Sequence, residues 1–419
     1  MLNDNEINYM SGKRTIIRSQ AIFTAEKGQP ELLDGYINVE NGLITEVAAG
    51  EIPVAAKASH LLIDVGDHMV LPGFIDPHTH LVHGGMREQE LALKLAGKSY
   101  MEIHEIGGIL STVRATRSLT EQELYDKAWE TLDRMLTFGT TTVEAKSGYG
   151  LDLATELRCL QVADCLNARH PIDIVSTYMG AHALPPEFAG DVHGYVDFML
   201  KQVMPVIRER GLAEFCDIFC EEGIFDLDVS RRFLQAAKGM GFLLKVHADE
   251  IVPLGGAELA AEMGAVSAEH LMAISDYGIE RLAEAGTVAV LLPATTFFLM
   301  ADKYAPARKM LDHGVRVALA TDYNPGSSPT ENIQVAMSHA CFGMKMQPDE
   351  ILTAVTIEAA HALRRETEIG SLAPGKRADI LITDVRSPAE LIYRFGVNHI
   401  VEVYKGGKLV AKQGRVCYE

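Results

Sequence analysis

His78 and His80 stand two apart at the end of the apolar run "LPGFIDPHTH", residues 71–80. Metal ligation is the chemistry such a pair suggests, because neutral imidazoles bind zinc or iron and residues two apart on a strand face the same side. The spacing alone is weak. With 15 histidines in 419 residues, about one chain in two carries such a pair by chance. Further groups that could join them are His182 in "GAHA", His247 and Glu250 in "KVHADE", His270 in "AEH" and Asp322 in "ATDYN". Three imidazoles (His78, His80, His247) and one carboxylate (Asp322) make an N/O set suited to zinc or iron, with room for a water. The rival is a scatter of hydrogen-bonded core histidines. Whether the groups converge depends on the elements that carry them.

Those elements repeat one unit. In "TEQELYDKAWETLDRMLTFGTTTVEAKSG", Thr120 and Glu123 form a capping box. Leu124, Ala128, Leu132, Met135 and Leu136 follow at helical spacing. Gly139 then ends the helix and a β-branched strand starts at once. The same helix–Gly–strand joint recurs at Gly211, Gly241, Gly264, Gly286 and Gly314. Short apolar strands alternating with helices imply βαβ units and a parallel sheet. Eight strands are expected between about residues 73 and 323, the number that closes a (β/α)8 barrel. An open doubly wound sheet is the alternative. In a barrel the chemistry sits at the strand C-termini, and that is where the residues above fall. His104 and His339, by contrast, read as parts of helices.

The two ends read differently. Residues 16–47 form short strands around an Asn41-Gly42 hairpin turn, and residues 378–412 are also β-rich. These flanks are either separate or joined in one module. The net charge of −19 (38 basic, 57 acidic residues) argues against nucleic acid and anionic membranes as partners. No stretch reaches the ~18 apolar residues of a membrane span. The N-terminal "MLNDNEINYMSGKRTIIRS" has no apolar signal core, so a cytoplasmic location is expected. Six cysteines read as reduced thiols, with Cys216 and Cys220 buried rather than metal-binding. No phosphate loop, His-Glu-x-x-His helix or Gly-x-Ser-x-Gly elbow occurs.

Taken with "KLAGKSY", "GGILSTVRATR", "EAKSGYGL", "GAHALPPEFAG", "FCEEGIFD", "HADEI", "AEHL" and "ATDYNPGSS", the chain resembles the metal-dependent amidohydrolases and, within them, the imidazolonepropionase family. The resemblance implies a (β/α)8 barrel over 70–366 and a small β-sandwich built from 1–69 and 367–419. It implies hydrolysis of the cyclic amide of 4-imidazolone-5-propanoate to N-formimidoyl-L-glutamate, with one zinc or iron ion per chain. His78, His80, His247 and Asp322 match the metal ligands. Arg87, Tyr149, His182, Glu250, Asn324, Gly326 and Ser327 match positions that contact the small-molecule substrate.

On that reading Asp322 takes a proton from water and Glu250 moves a proton at a ring nitrogen. His182 and His270 stabilise the oxyanion and orient the nucleophile. Lys146 is expected to be a plain lysine, not a carboxylated bridge between two metals. A homodimer is the expected assembly. The alternatives are another cyclic amidase or a deaminase of the same superfamily, or a barrel that serves as a binding module. Two departures stand out. His83 replaces an aromatic residue, and "PTENIQVAMSHACFGMKM" is more polar than usual, which could alter a wall of the pocket.

Overall fold

The computed structural model describes residues 14–28, 32–54, 56, 60–98, 102 and 107–418. His104 and residues 1–13, with the expectations attached to them, lie outside the described residues. The first chain end forms β1 (Thr15–Ile22), β2 (Leu33–Glu40), β3 (Leu43–Ala49), β4 (Leu61–Asp64) and β5 (Met69–Pro72). Asn41 (φ 52°) and Gly42 (φ 81°) both take positive φ between β2 and β3. A two-residue turn that matches strand twist requires this.

The chain then enters a parallel sheet of eight strands in sequential order: β6 (Phe74–Asp76), β7 (Thr140–Lys146), β8 (Asp173–Ala181), β9 (Phe215–Cys220), β10 (Leu243–Ala248), β11 (Ser267–His270), β12 (Val288–Leu291) and β13 (Val317–Leu319). The helix Glu121–Thr137 has the expected capping box at Thr120 and Glu123, and its apolar stripe is buried. At the joints that follow helices, Gly139 and Gly286 have φ of 96° and 70°. A side chain would be strained there, which is why glycine sits at these turns. His339 does lie in a helix, Ile333–Met344.

Site residues themselves form the seam between the first and last strands. The N–H of Asp322 donates to the carbonyl of His78 at 3.1 Å, and the N–H of His80 donates to the carbonyl of Tyr323 at 2.8 Å. Asp76 adds to the seam by accepting from the N–H of Thr321 at 3.0 Å and its hydroxyl at 2.6 Å. The structure is therefore a (β/α)8 barrel, as the repeat implied.

The second chain end supplies β14 (Ile380–Thr383), β15 (Ile400–Lys405), β16 (Lys408–Lys412) and β17 (Arg415–Val416). One nine-stranded sheet results, in the order β17-β16-β15-β14-β5-β1-β2-β3, with β4 beside β1. β5 joins the two ends by pairing with both β1 and β14. Ile17, Ile37 and Val39 share a core with Ile380, Ile382 and Tyr404. The two chain ends thus build one sheet module, separate from the barrel sheet, with a core of their own. All six cysteines are free thiols, and Cys216 and Cys220 are buried in β9. No helix among the described residues is long and apolar enough to cross a membrane.

Candidate metal centre and active site

Strand periodicity and the ends of the strands bring the histidines together. The rings of His78 and His247 lie 4.6 Å apart between centroids, those of His78 and His80 5.4 Å, and those of His247 and His270 5.0 Å. Asp322 Oδ1 lies 3.3 Å from His78 Nε2 and 3.6 Å from His80 Nε2. Two αL residues hold the arrangement, His270 at φ 71° and Asp322 at φ 54°. Such conformations cost ~1–3 kcal/mol each and gather at working sites.

The carboxylate contacts on the far sides of the rings show what the near sides can do. His247 Nδ1 is 2.9 Å from Asp217 Oδ2, and His78 Nδ1 meets Glu269 Oε2. A carboxylate only accepts, so both imidazoles carry their proton on Nδ1 and turn Nε2 toward the cluster. His247 Nε2 is buried with no hydrogen-bond partner. Buried polar atoms are rarely left unpaired, and a metal is what this donor set fits. His78, His80 and Asp322 present ligand atoms within 4.8 Å of one another, as do His78, His247 and His270.

Electrostatics divide the groups by role. Burial disfavours the charge on Asp322, but the hydrogen bond and charge of His78 and the hydroxyl of Thr295 hold it down at about 2. Thr295 Oγ1 donates to Asp322 Oδ2 at 2.7 Å. His78 is raised to about 9: burial opposes its charge, Glu269 and Asp322 outweigh that, and its Nε2 would release the proton on binding an ion. Burial and the charge of His247 push His182 down to about 3. His80 and His270 are lowered well below the usual imidazole range, first by burial and then by their imidazole neighbours. Glu250 goes the other way. Burial, then Asp322 and Glu221, raise it to about 8.

The loops are pinned by carboxylates that spacing did not flag. Glu156 accepts the N–H groups of Gly148 (3.1 Å), Gly150 (2.7 Å) and Leu151 (2.8 Å), which fixes the loop bearing Tyr149. Asp249 caps Gly255 at 2.9 Å, and Glu221 accepts from Ile251 at 2.8 Å, on either side of Glu250. Arg87 is buried in the pocket. Its Nε is 3.5 Å from Glu90 Oε2, while Nη1 has no partner. Gly326 lies against the guanidinium so closely that any side chain there would overlap Arg87. Asn324 builds its own loop, accepting from the N–H groups of Gly326 and Ser327 at 2.8 Å each.

His80, Arg87, Tyr149, His182, His247, Glu250, His270, Asp322, Asn324 and Ser327 all line one pocket, with Phe219 and Ile109. His78 is buried behind them with its ring against those of His80, His247 and His270, and Gly326 packs against Arg87. Sequence reasoning missed Asp217, Glu269, Thr295, Phe219 and Ile109. A charged residue within an otherwise buried strand, as in "FCDIFC" and "SAEH", was the available signal for the first two. The polar segment around Ile333–Met344 does not form a wall of the pocket, because that helix packs on the outside of the barrel. His83 packs its ring 5.6 Å from that of Tyr323 and sets its Nδ1 2.8 Å from Lys127 Nζ. Lys146 Nζ meets three carboxylates, Asp217 at 2.7 Å, Glu269 at 2.9 Å and Glu144 at 3.1 Å, the contacts of an ammonium. A larger cavity of about 860 Å³ opens at the other end of the barrel, near Glu26 and Arg316, away from this chemistry.

Residues 110–411 match the model of the Amidohydrolase family, so the chain is that of an amidohydrolase. An imidazolonepropionase of Treponema denticola is 58% identical over 97% of this chain and 100% of its own length. One of Alkaliphilus metalliredigens is 52% identical over 91% of this chain and 92% of its own. This chain belongs to the imidazolonepropionase family. Among solved structures, a zinc-bound adenosine deaminase from Xanthomonas campestris shares the fold, with a TM-score of 0.68 and 18% identity over 96% of this chain and 94% of that one.

Proposed function

We propose that this protein hydrolyses the cyclic amide of 4-imidazolone-5-propanoate to N-formimidoyl-L-glutamate, a step of histidine degradation, using one zinc or iron ion per chain. The observation that carries the reading is a buried Arg87 with an unpartnered Nη1, in the same pocket as three of the four converging metal-ligand candidates, His80, His247 and Asp322. A guanidinium offers a planar, two-pronged grip on a carboxylate. In a chain of charge −19 it gives an anionic substrate a local attraction, and Tyr149 lies beside it.

His78, His80, His247 and Asp322 hold the ion. When bound, the ion polarises the amide carbonyl and lowers the pKa of its water to about 7. Asp322, ionised and fixed by Thr295, takes the water's proton. Neutral Glu250 donates a proton to the departing ring nitrogen. His270, with no hydrogen bond on either nitrogen, offers an N–H to the oxyanion. His182 is set to contact the substrate. Its Nδ1 donates to the carbonyl of Gly148 at 3.2 Å, which leaves Nε2 as an acceptor for a substrate N–H. Ser327 and the Asn324 loop close the pocket around Arg87.

The protein acts in the cytoplasm as a homodimer. Exposed Phe342 and Phe395, 5.7 Å apart between rings, and neighbouring Tyr393 form an aromatic patch suited to a second copy. Light scattering at micromolar concentration tests the dimer. For the activity, loss of the imidazolone ultraviolet absorbance should accompany formation of N-formimidoyl-L-glutamate. Ammonia release from an aminated heterocycle, with no turnover of the imidazolone, would make the protein a deaminase instead.

A further inference from the structure

Below the metal centre the barrel is filled with charge. Glu144 and Lys146 on β7, Asp217 on β9, Lys245 on β10 and Glu269 on β11 are each at most 1% exposed. Barrel interiors are ordinarily packed with Val, Ile and Leu. A buried ion costs several kcal/mol to desolvate, and replacing buried pairs by apolar residues is often neutral or stabilising. Stability therefore does not account for this array.

Its connections do. We propose that Lys146 and Lys245 are positioning residues of the metal centre, holding the carboxylates of Asp217 and Glu269 against Nδ1 of His247 and His78 so that both imidazoles present Nε2 to the ion. The proposal rests on the metal-site reading given above. Lys146 Nζ has three N–H groups and three acceptors, Asp217 Oδ2 at 2.7 Å, Glu269 Oε2 at 2.9 Å and Glu144 Oε1 at 3.1 Å. The same Asp217 oxygen lies 2.9 Å from His247 Nδ1, and the same Glu269 oxygen meets His78 Nδ1. Each carboxylate oxygen is thus shared between the lysine and one imidazole.

Lys245 Nζ holds the other oxygen of Glu269 at 3.2 Å, Glu144 Oε2 at 3.2 Å, and the carbonyl of Pro77 at 3.4 Å. Pro77 immediately precedes His78, so Lys245 steadies that ligand from both its backbone and its carboxylate partner. Glu144 ties the two lysines together. Ser267 Oγ donates to Glu269 Oε1 at 2.9 Å and completes that carboxylate's set. Lys146 reaches both ligand arms, whereas Lys245 reaches only the His78 arm.

The test uses the full chain and zinc as the probe. The double variant Glu144→Gln/Lys245→Met removes one charge of each sign and leaves Lys146 on Asp217 and Glu269. It should fold with a melting temperature close to wild type in the metal-free state, yet bind zinc about 10–100-fold more weakly in chelator competition. Its cobalt(II)-loaded form should show a shifted visible spectrum. Lys146→Met should weaken zinc binding further, because both arms lose their hold. A folded double variant with wild-type zinc affinity and an unchanged cobalt spectrum overturns the proposal.

If the variants fail to fold, nitrogen-15 NMR of zinc-loaded wild type decides. The proposal requires a proton on Nδ1 of both His78 and His247, and zinc ligation through Nδ1 of either one refutes it. None of these measurements uses substrate, so their outcome is separate from which amide the enzyme opens. A wild-type chain that binds no zinc would overturn the metal-site reading and this proposal together.

Discussion

The backbone N–H of Asp322 donates to the carbonyl of His78 at 3.1 Å, so two metal-ligand candidates from opposite ends of the barrel sequence are also its closing hydrogen bond. Ligand geometry and barrel closure are one feature. An ion that holds both side chains clamps the seam, because anything that binds only the folded state stabilises it. Removing metal with a chelator should speed amide hydrogen exchange at His80 and Asp322 and leave the helix Glu121–Thr137 unchanged. Equal acceleration in both regions would mean that metal stabilises the fold globally and has no particular hold on the seam.

His247 enters from the middle of the sheet, anchored by Asp217. Its replacement by Ala removes a ligand without touching the seam. Elemental analysis of His247→Ala should show loss of bound metal and negligible turnover, with unchanged circular dichroism. Full metal occupancy with normal activity would remove His247 from the ligand set.

Arg87 is the proposed reader of the substrate carboxylate. Loss of one partner from a buried charge pair costs roughly 2–5 kcal/mol. Arg87→Met should lower kcat/KM at least about thirtyfold, with metal content intact. The variant should also stop distinguishing the acid from its neutral propanamide. Wild-type efficiency and preference in this variant would place carboxylate recognition elsewhere.

Burial and the neighbouring carboxylates raise Glu250 to about 8. Below that pH the carboxyl is protonated and able to donate. Activity limited by this proton should therefore fall as pH rises through about 8. Glu250→Gln should show a low rate without that alkaline limb. An identical limb in the variant would assign the titration to another group.

His170 supplies a stability switch away from the site. Its Nδ1 accepts from the N–H of Ile172 at 3.0 Å, and its Nε2 faces the Tyr418 hydroxyl at 2.8 Å. Burial lowers the ring to about 4, with Asp133 opposing in part. Between its ordinary value of 6.5 and about 4 the unfolded chain takes up a proton that the folded chain refuses. Stability from this group is complete above 6.5 and declines as pH falls through that window, by at most about 3 kcal/mol. Urea denaturation of wild type and His170→Gln should show the variant with a flatter decline. Parallel curves would exclude His170 as a source of acid sensitivity.

What the sequence determined by itself is the set of local periodicities and what they place. The helix–Gly–strand repeat predicted eight parallel strands, and a strand period of two put His78 and His80 on one side. Strand ends then collected His182, His247, His270 and Asp322. These are local facts, because the face a residue occupies follows from its own backbone. The tertiary structure decided everything that depends on contact between strands. Asp217 and Glu269 read as ordinary polar residues until closure of the barrel sets them against His247 and His78, and only then are the ring protons assigned. Glu144, Lys146 and Lys245 are 101 residues apart at their extremes yet share hydrogen bonds. The two β-rich ends carried no signal of their union, which comes from β5 pairing with both β1 and β14. Periodicity reports orientation along one segment, whereas partners are chosen by the closure of the chain in space.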